Sequence, residues 1–460
     1  MAPDAMLPLN TLLVQILNNW ALGQTPTLLE WQQLAAEALA SPQWTKVFGI
    51  IPENVEDIIQ ARVPFKDASS LSEKENQEPR GSEETANLNL SEAQRSPVSS
   101  DLQNSSPIPY SPLPTPQQTA SSCAAALLTH LFQAVYPDVL SLLSFHSSPQ
   151  AISTAAEEQG NRGAGETLPS KIESSLTPDR NSKILLSLWN LWLPLAIQLA
   201  SSQQQLGRAL IQGILGGQGT GKTTLTAVLS LILTHLGYRT LSLSLDDLYK
   251  TYVERQRLQQ KDSRLIWRGP PGTHDVELAR KLLDQLRSPN QQDPILVPRF
   301  DKSAWGGAGD RTTPERVEGV DIVLFEGWFV GVRPIDRAVF DASLPEPIQT
   351  SADRAFARDM NDQLKEYLPL WERLDRLMLL YPVNYRLSQQ WRCQAEQQMI
   401  ATGKSGMTDA QVIKFVEYFW RSLHPELFIT PLIKKKSWVD LVIEINPDHT
   451  VGTIYRPGEA

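Results

Sequence analysis

The 460-residue chain predicts an α/β fold: a mainly parallel sheet flanked by helices over residues 207–460, preceded by an N-terminal helical region with disordered polar inserts. Three observations carry this. Residues Gly216-Gly217-Gln218-Gly219-Thr220-Gly221-Lys222-Thr223 match G-x-x-x-x-G-K-[ST], a phosphate-binding loop. An apolar run, Leu210 to Leu215, enters the loop and an apolar-periodic segment, Thr223 to Leu236, leaves it, which is the strand–loop–helix context the motif needs. Beyond it, short apolar runs alternate with helical patterns, the signature of a parallel sheet.

The elements follow in chain order. Residues 1–65 read as helical. Leu12, Leu13, Ile16, Leu17 and Trp20 form one apolar stripe, and Leu28, Leu29, Trp31, Leu34 and Leu39 a second after Pro26. A third helix is expected from Asn54, as N-cap, to about Arg62. Residues 66–122 are rich in Ser, Pro, Glu, Gln and Asn with almost no aromatics. They cannot bury enough surface to offset the entropy of ordering, and are expected to form a disordered linker. The region 123–206 carries a helix at about Cys123–Leu143, a polar insert at 147–182, and a helix at about Lys183–Gln205. Ile184 to Ala200 is apolar but short for a membrane span and is broken by Asn190, Pro194 and Gln198, so it is read as a buried packing helix. In the last region the strand candidates are Leu210–Leu215, Thr240–Leu245, Ile295–Val297, Ile322–Phe325, Leu377–Leu380, Leu441–Ile445 and Val451–Tyr455. The last is expected as a hairpin strand after Asn446-Pro447-Asp448. Asp275 is placed to cap a helix with Ala279, Leu282, Leu283 and Leu286 on one face. Gly237 is placed to end the phosphate-loop helix.

Composition narrows the function classes. A formal charge of −9 argues against general nucleic-acid binding. Cys123 and Cys393 are too few for a metal cluster or disulfide framework, which fits a reducing compartment. The first ten residues lack a basic n-region and the first arginine is Arg62, so a cytoplasmic location is expected, with no membrane partner.

The candidate site is built around the phosphate loop. Its glycines let successive N–H groups converge on one anion, and the helix start adds partial positive charge. Gly216 to Thr223, with Thr224, are therefore expected to bind nucleotide. Lys222 would reach the outer phosphates, and the Thr223 hydroxyl is placed for Mg²⁺. Asp246 and Asp247 follow the second strand, where ligands gather in open α/β sheets. A carboxylate there can take a proton from an attacking hydroxyl or hold Mg²⁺ through water, or the pair can cap the next helix. Asp321 to Gly327 is an apolar strand ending in Glu326, the shape of a Walker B element, with Gly327 permitting a tight exit. Arg299, Lys302 and Arg311 could hold an anionic substrate group, or belong to solvated loops. His274 could contact substrate or serve the turn. Arg386 and Arg392, on a predicted helix over Tyr385–Ile400, could close as a lid over a transferring phosphoryl group; Arg392 and Glu396 could equally form a surface i,i+4 pair.

Taken in order, GQGTGKTT, SLDDLY, GPPGTHD, PRFDKS, LFEGW and YRLSQQWRCQAE resemble D-glycerate 3-kinases of the plant and cyanobacterial type, within the P-loop kinases that include phosphoribulokinase and uridine kinase. The resemblance covers residues 207–460. Leu248 and Thr273 stand where relatives often carry Phe and Ser. It implies a P-loop kinase fold and the conversion of ATP and D-glycerate into 3-phosphoglycerate and ADP with Mg²⁺. By the same resemblance Asp246 would be the base, Glu326 the carboxylate near the metal, and Arg386 and Arg392 the lid cations. A sibling kinase acting on another small hydroxylated acceptor, or an ATP-binding scaffold, remains the alternative. The resemblance assigns no role or protein partner to residues 1–206.

Overall fold

The computed structural model describes Leu13, Ile16 and residues 26–62, 116–147, 178–288, 293–401, 403 and 406–458. The linker expected at 66–122 lies outside these residues except for its last turns, and so does most of the 147–182 insert.

Ten strands are described: β1 Leu210–Gly216, β2 Thr240–Ser244, β3 Ile295–Val297, β4 Phe300–Asp301, β5 Asp310–Arg311, β6 Glu315–Val317, β7 Ile322–Gly327, β8 Arg376–Pro382, β9 Leu441–Ile445 and β10 Val451–Tyr455. Six form the central sheet in the order β10-β9-β8-β1-β7-β2. All its pairings are parallel except the β9–β10 hairpin. Buried on both faces, β1 and β7 are almost uninterrupted apolar runs, as central parallel strands require. The run at Ile295–Val297 does form a strand but never joins this sheet. It pairs antiparallel with β6, and β4 pairs with β5, so two small ribbons stand beside the strands' carboxyl ends.

The N-terminal helices are α1 Leu28–Ala40, α2 Pro52–Arg62, α3 Pro116–Ser147, α4 Pro178–Ser187 and α5 Leu193–Leu206, the last two joined by a π-helical turn at Leu188–Trp192. Two helix starts and one buried face differ from the sequence reading. Thr27, in a capping box with Glu30, starts α1, which leaves Leu28 and Leu29 in its exposed first turn while Trp31, Leu34, Ala35, Ala38 and Leu39 are buried. The next helix starts at Pro52, so Asn54 lies inside it and not at its cap; proline is favoured where the N–H would go unpaired anyway. Helix α3 begins at Pro116, within the segment expected to be linker.

The π turn solves a problem posed by Pro194, which has no N–H and would crowd the carbonyl four residues back. The carbonyl of Asn190 accepts from Gln43 Nε2 at 2.7 Å, and that of Trp189 from Trp44 Nε1 at 3.2 Å. A break in the helix thus docks the segment after α1. Around it, Trp189 packs on Phe132 (5.1 Å between ring centroids) and Trp44 (6.4 Å). This core is continuous with one face of the central sheet: Leu128, Phe132, Leu188 and Ile197 belong to the same apolar cluster as Leu210, Ile214, Val228 and Leu380. The stretch Asn181–Leu206, long and apolar enough to cross a membrane, has 72% of its most apolar window buried inside the protein. Trp189→Ala should therefore cost about 3–5 kcal/mol, read as a lower urea midpoint for the whole chain, because the N-terminal helices and the sheet share this core.

The remaining α-helices longer than one turn are α6 Lys222–His235, α7 Tyr252–Lys261, α8 Val276–Leu286, α9 Ser351–Gln363, α10 Leu387–Ala401 and α11 Asp409–Ser422. Asp275 caps α8 by accepting from Leu278 N at 3.0 Å, and the four predicted apolar residues are its buried face. Gly237 follows α6 with φ +77°. Helices α7, α9 and α11 escaped the sequence reading. Each begins with a capping box (Thr251/Glu254, Thr350/Asp353, Thr408/Gln411), so a local signal was present.

Candidate active site

A cleft of about 1020 Å³ opens at the carboxyl ends of the strands, where an open α/β sheet gathers its ligands. The phosphate loop forms its floor. Gly221 adopts φ +84° as it enters α6. A Cβ on Gly216 would come within 2.6 Å of Thr220 Oγ1, and one on Gly219 within 2.7 Å of Trp391 Cβ, with φ +78°. Thr220 donates to the Gly217 carbonyl at 2.9 Å. These contacts hold the curl that aims amides at an anion. Gln218 presents a buried Oε1 without a protein partner. Thr223 lines the cleft; Thr224 is exposed. Lys222 Nζ donates to the Gly217 carbonyl at 3.0 Å and lies 3.9 Å from Glu326 Oε2, where β7 ends. Burial pulls the Lys222 pKa down, against the pull of Glu326 and Asp246. Gly327 is required because a Cβ would meet Leu245 Cβ at 2.7 Å; crowding, not a left-handed turn, selects it.

Across the cleft, Ser244 caps a 3₁₀ turn, Leu245–Leu248, that presents Asp246 inward. Lys302 reaches in from an exposed loop to 2.8 Å from Asp246 Oδ2. Burial alone would push the Asp246 carboxyl up; Lys302 and the Tyr249 hydroxyl outweigh it and hold the acid below the usual carboxylate range. Asp246 is thus ionised at neutral pH, as a base must be. Lys302→Met should remove the larger of the two opposing influences, leaving chiefly the Tyr249 hydroxyl against burial, and so raise this pKa. Activity is lost as pH falls through it, so the acid limb of the kcat/KM profile should move up by about one unit or more; an unmoved limb would detach Lys302 from Asp246.

Asp247 turns away. It accepts from Ser244 N at 3.1 Å and from Arg299 at 2.9 Å. That occupies Arg299, which also holds Glu315 (2.6 Å) and the Ser242 carbonyl (3.0 Å). Arg311 is likewise committed, to the Tyr249 carbonyl at 2.8 Å and Asp275 at 2.9 Å. Neither arginine lines the cleft, so both position the loops carrying Asp246 and Tyr249, where the sequence suggested substrate contact. His274 is 1% exposed, stacked behind Tyr249 (4.4 Å) with Nδ1 2.9 Å from the Tyr367 hydroxyl. Burial lowers its pKa to about 3, so it is neutral. It supports the wall of the cleft.

Of the two lid candidates, Arg392 lines the cleft, while Arg386 precedes α10, exposed, against the Tyr385 ring. Arg392 does pair with Glu396, but not on the surface: Glu396 is 3% exposed and also accepts from Met407 N. The Arg392 Nε is buried without a partner. Two further cations, absent from the sequence reading as site residues, line the cleft. Arg268 donates to the Gly307 carbonyl at 2.7 Å, and Arg255 to the Ala308 carbonyl at 2.8 Å. Arg255 sits in a helix so charged that it resembles any surface helix; Arg268 stood beside the GPPGTHD turn, the one available hint. With Lys222, Lys302 and Arg392 they make five cations against two carboxylates, Asp246 and Glu326. In a chain of net charge −9, that local excess selects anionic ligands.

No family model matches the chain. A probable ATP-dependent kinase of Saccharomyces cerevisiae is 30% identical over 238 residues, 48% of this chain and 78% of that protein. The chloroplastic D-glycerate 3-kinase of Arabidopsis thaliana is 32% identical over 220 residues, 46% of this chain and 46% of that protein. Among solved structures, D-glycerate 3-kinase from Cryptococcus neoformans is 28% identical with a TM-score of 0.52, covering 58% of this chain and 99% of that one. These likenesses join the phosphate loop, the parallel sheet and the acid facing it: the chain is an ATP-using phosphotransferase and belongs to the family of P-loop kinases that contains D-glycerate 3-kinase.

Proposed function

We propose that this protein transfers the terminal phosphoryl group of ATP to the C3 hydroxyl of D-glycerate, giving 3-phosphoglycerate and ADP. One observation carries the reading: Asp246, ionised, and Lys222 face the same cleft, whose other charged walls are mostly cations. The loop amides and Lys222 grip the β- and γ-phosphates. The acceptor's carboxylate meets Arg268 and the free face of Arg392, which leaves its hydroxyl to Asp246. Asp246 takes the hydroxyl proton as the oxygen attacks phosphorus and the bond to ADP breaks. Positioning and charge neutralisation supply most of the acceleration. Thr223 and Glu326 both line the cleft and offer the hard oxygens Mg²⁺ prefers; they would hold the ion, which when bound neutralises charge on the phosphates.

The test is ADP release in a coupled assay with D-glycerate, pantothenate, uridine and ribulose 5-phosphate offered separately. Turnover with D-glycerate and phosphate at C3 of the product is expected. Stimulation by another acceptor alone would move the protein to a sibling activity.

A further inference from the structure

A second cavity lies at the opposite end of the sheet from the cleft. It holds about 170 Å³ and is walled by two parts of the chain. One wall is N-terminal: the turn around Gly49, Asn54 on α2, and Ser201, Ser202 and Gln205 on α5. The other belongs to the kinase: Arg376, the first residue of β8, and Arg456, which follows β10. Among the described residues no carboxylate or other anionic side chain lines it.

The two arginines set it apart. Arg376 Nη1 donates to Ser202 Oγ at 2.9 Å, and Arg456 Nε donates to the Val47 carbonyl at 2.7 Å. Among the described residues neither forms a salt bridge. Arg208 with Asp375 and Arg299 with Asp247, by contrast, each have their carboxylate. The nearest acid acting on Arg376 is Asp440, whose Oδ2 is engaged by Leu377 N at 2.7 Å. Burial pulls the Arg376 pKa down, Asp440 opposes this, and Arg456 adds to it, so the two guanidinium groups stand close enough to repel. Burying like charges together without a counter-ion is unfavourable. An oxyanion that accepts from both would relieve it, and guanidinium forks suit phosphate and carboxylate oxygens. At about 170 Å³ the cavity has about one sixth the volume of the cleft, about 1020 Å³. That is too small for a nucleotide and adequate for a phosphate group or a small phosphorylated acid.

We infer that this cavity is a binding site for a small phosphate-bearing anion, held by Arg376 and Arg456 with Ser202, Asn54 and Gln205 around it, that clamps the N-terminal helices to the kinase sheet. Its place in the fold gives it a route to the cleft. Strand β8 runs from Arg376 to the segment that starts α10. Strand β10 runs to Arg456 from a turn whose His449 stacks on Trp391 of α10 (4.6 Å) and lies beside the Gly219 backbone of the phosphate loop. Trp391 Nε1 in turn donates to the Pro447 carbonyl at 3.0 Å.

The test uses inorganic phosphate as probe on the full chain, with thermal unfolding followed at constant ionic strength set with chloride. The phosphate loop also takes phosphate, so the informative quantity is the difference between wild type and variants in which the loop is intact. The wild type should gain about 2 °C more than Arg456→Gln at ten times the dissociation constant. Gln205→Glu is the second variant. Its exposed position tolerates the change, and the new carboxylate supplies the missing counter-charge, so its extra phosphate response should vanish while its melting temperature without phosphate holds or rises. Repeating the titration with 3-phosphoglycerate in place of phosphate separates a bare phosphate site from one for a phosphorylated acid, since the better ligand shows the larger wild-type-minus-variant difference. Equal phosphate responses in wild type, Arg456→Gln and Gln205→Glu, or no response in the wild type, would overturn the site. This outcome is independent of which acceptor the cleft phosphorylates.

Discussion

Asp246→Asn should lower kcat by about 10²–10⁴ while leaving the dissociation constant for ATP within a few-fold of wild type. The two effects separate because of where the side chain sits. Asp246 lies across the cleft from the phosphate loop, on the 3₁₀ turn capped by Ser244, and meets Lys302 and Tyr249, not the loop backbone. Asparagine keeps the shape and an oxygen for Lys302, but it cannot accept the acceptor's proton. Lys302 then loses a charge partner, yet it is largely exposed, so the fold should tolerate the change. Single-turnover phosphoryl transfer beside equilibrium ATP titration checks both halves. A variant that turns over at the wild-type rate would remove Asp246 from proton transfer; one that loses ATP as well would place it in nucleotide binding.

Lys222→Met should have the complementary signature: kcat lower by about 10²–10³, together with weaker ATP binding. Its ammonium is the cation held against the Gly217 carbonyl and within reach of Glu326, where charge accumulates on the transferring group. Burial makes that charge costly to keep, and Glu326 and Asp246 sustain it. Removing it leaves Glu326, 15% exposed, without its cation, so a modest fall in melting temperature should accompany the kinetic loss. Unchanged kcat in a folded variant would contradict the assignment of the loop. Because Asp246→Asn spares nucleotide and Lys222→Met does not, the pair distinguishes the acceptor side of the cleft from the donor side.

The legible part of the molecule is the part whose physics is local. The phosphate loop needs glycines at fixed spacing because backbone must curl and pack against Thr220 and Trp391. Strands β1 and β7 had to be apolar throughout, being covered on both faces. Asp246 and Glu326 follow strands, and a parallel sheet delivers strand ends to one edge. The helices α7, α9 and α11 were legible in principle through their capping boxes, but their interiors, YVERQRLQQK above all, carry too little apolar periodicity to stand out.

Where the sequence left roles open, the choice lay between chemically equivalent residues. Arg299, Arg311, Arg268 and Arg255 are interchangeable as letters; which of them faces ligand depends on which carboxylates stand nearby in space. Arg299 meets Asp247 and Glu315, Arg311 meets Asp275, and all three acids come from other segments of the chain. Among the described residues Arg268 and Arg255 find no carboxylate, only backbone carbonyls and the Tyr249 and Phe300 rings, so they keep donors and charge for the cleft. The Arg392–Glu396 pair shows the same limit: the i,i+4 spacing foretold the contact, and only the tertiary fold buried its carboxylate, which also accepts from Met407 N.

The amino-acid sequence by itself determined the sheet, the phosphate cradle and the two carboxylates at the strand ends, because periodicity, glycine spacing and strand direction act within a few residues. Tertiary structure alone decided which arginines are spent on neighbouring acids and which face the cleft, and that the N-terminal helices share one core with the kinase sheet. Those outcomes turn on contacts between segments tens to hundreds of residues apart, whose energies depend on distance and burial that no local pattern encodes.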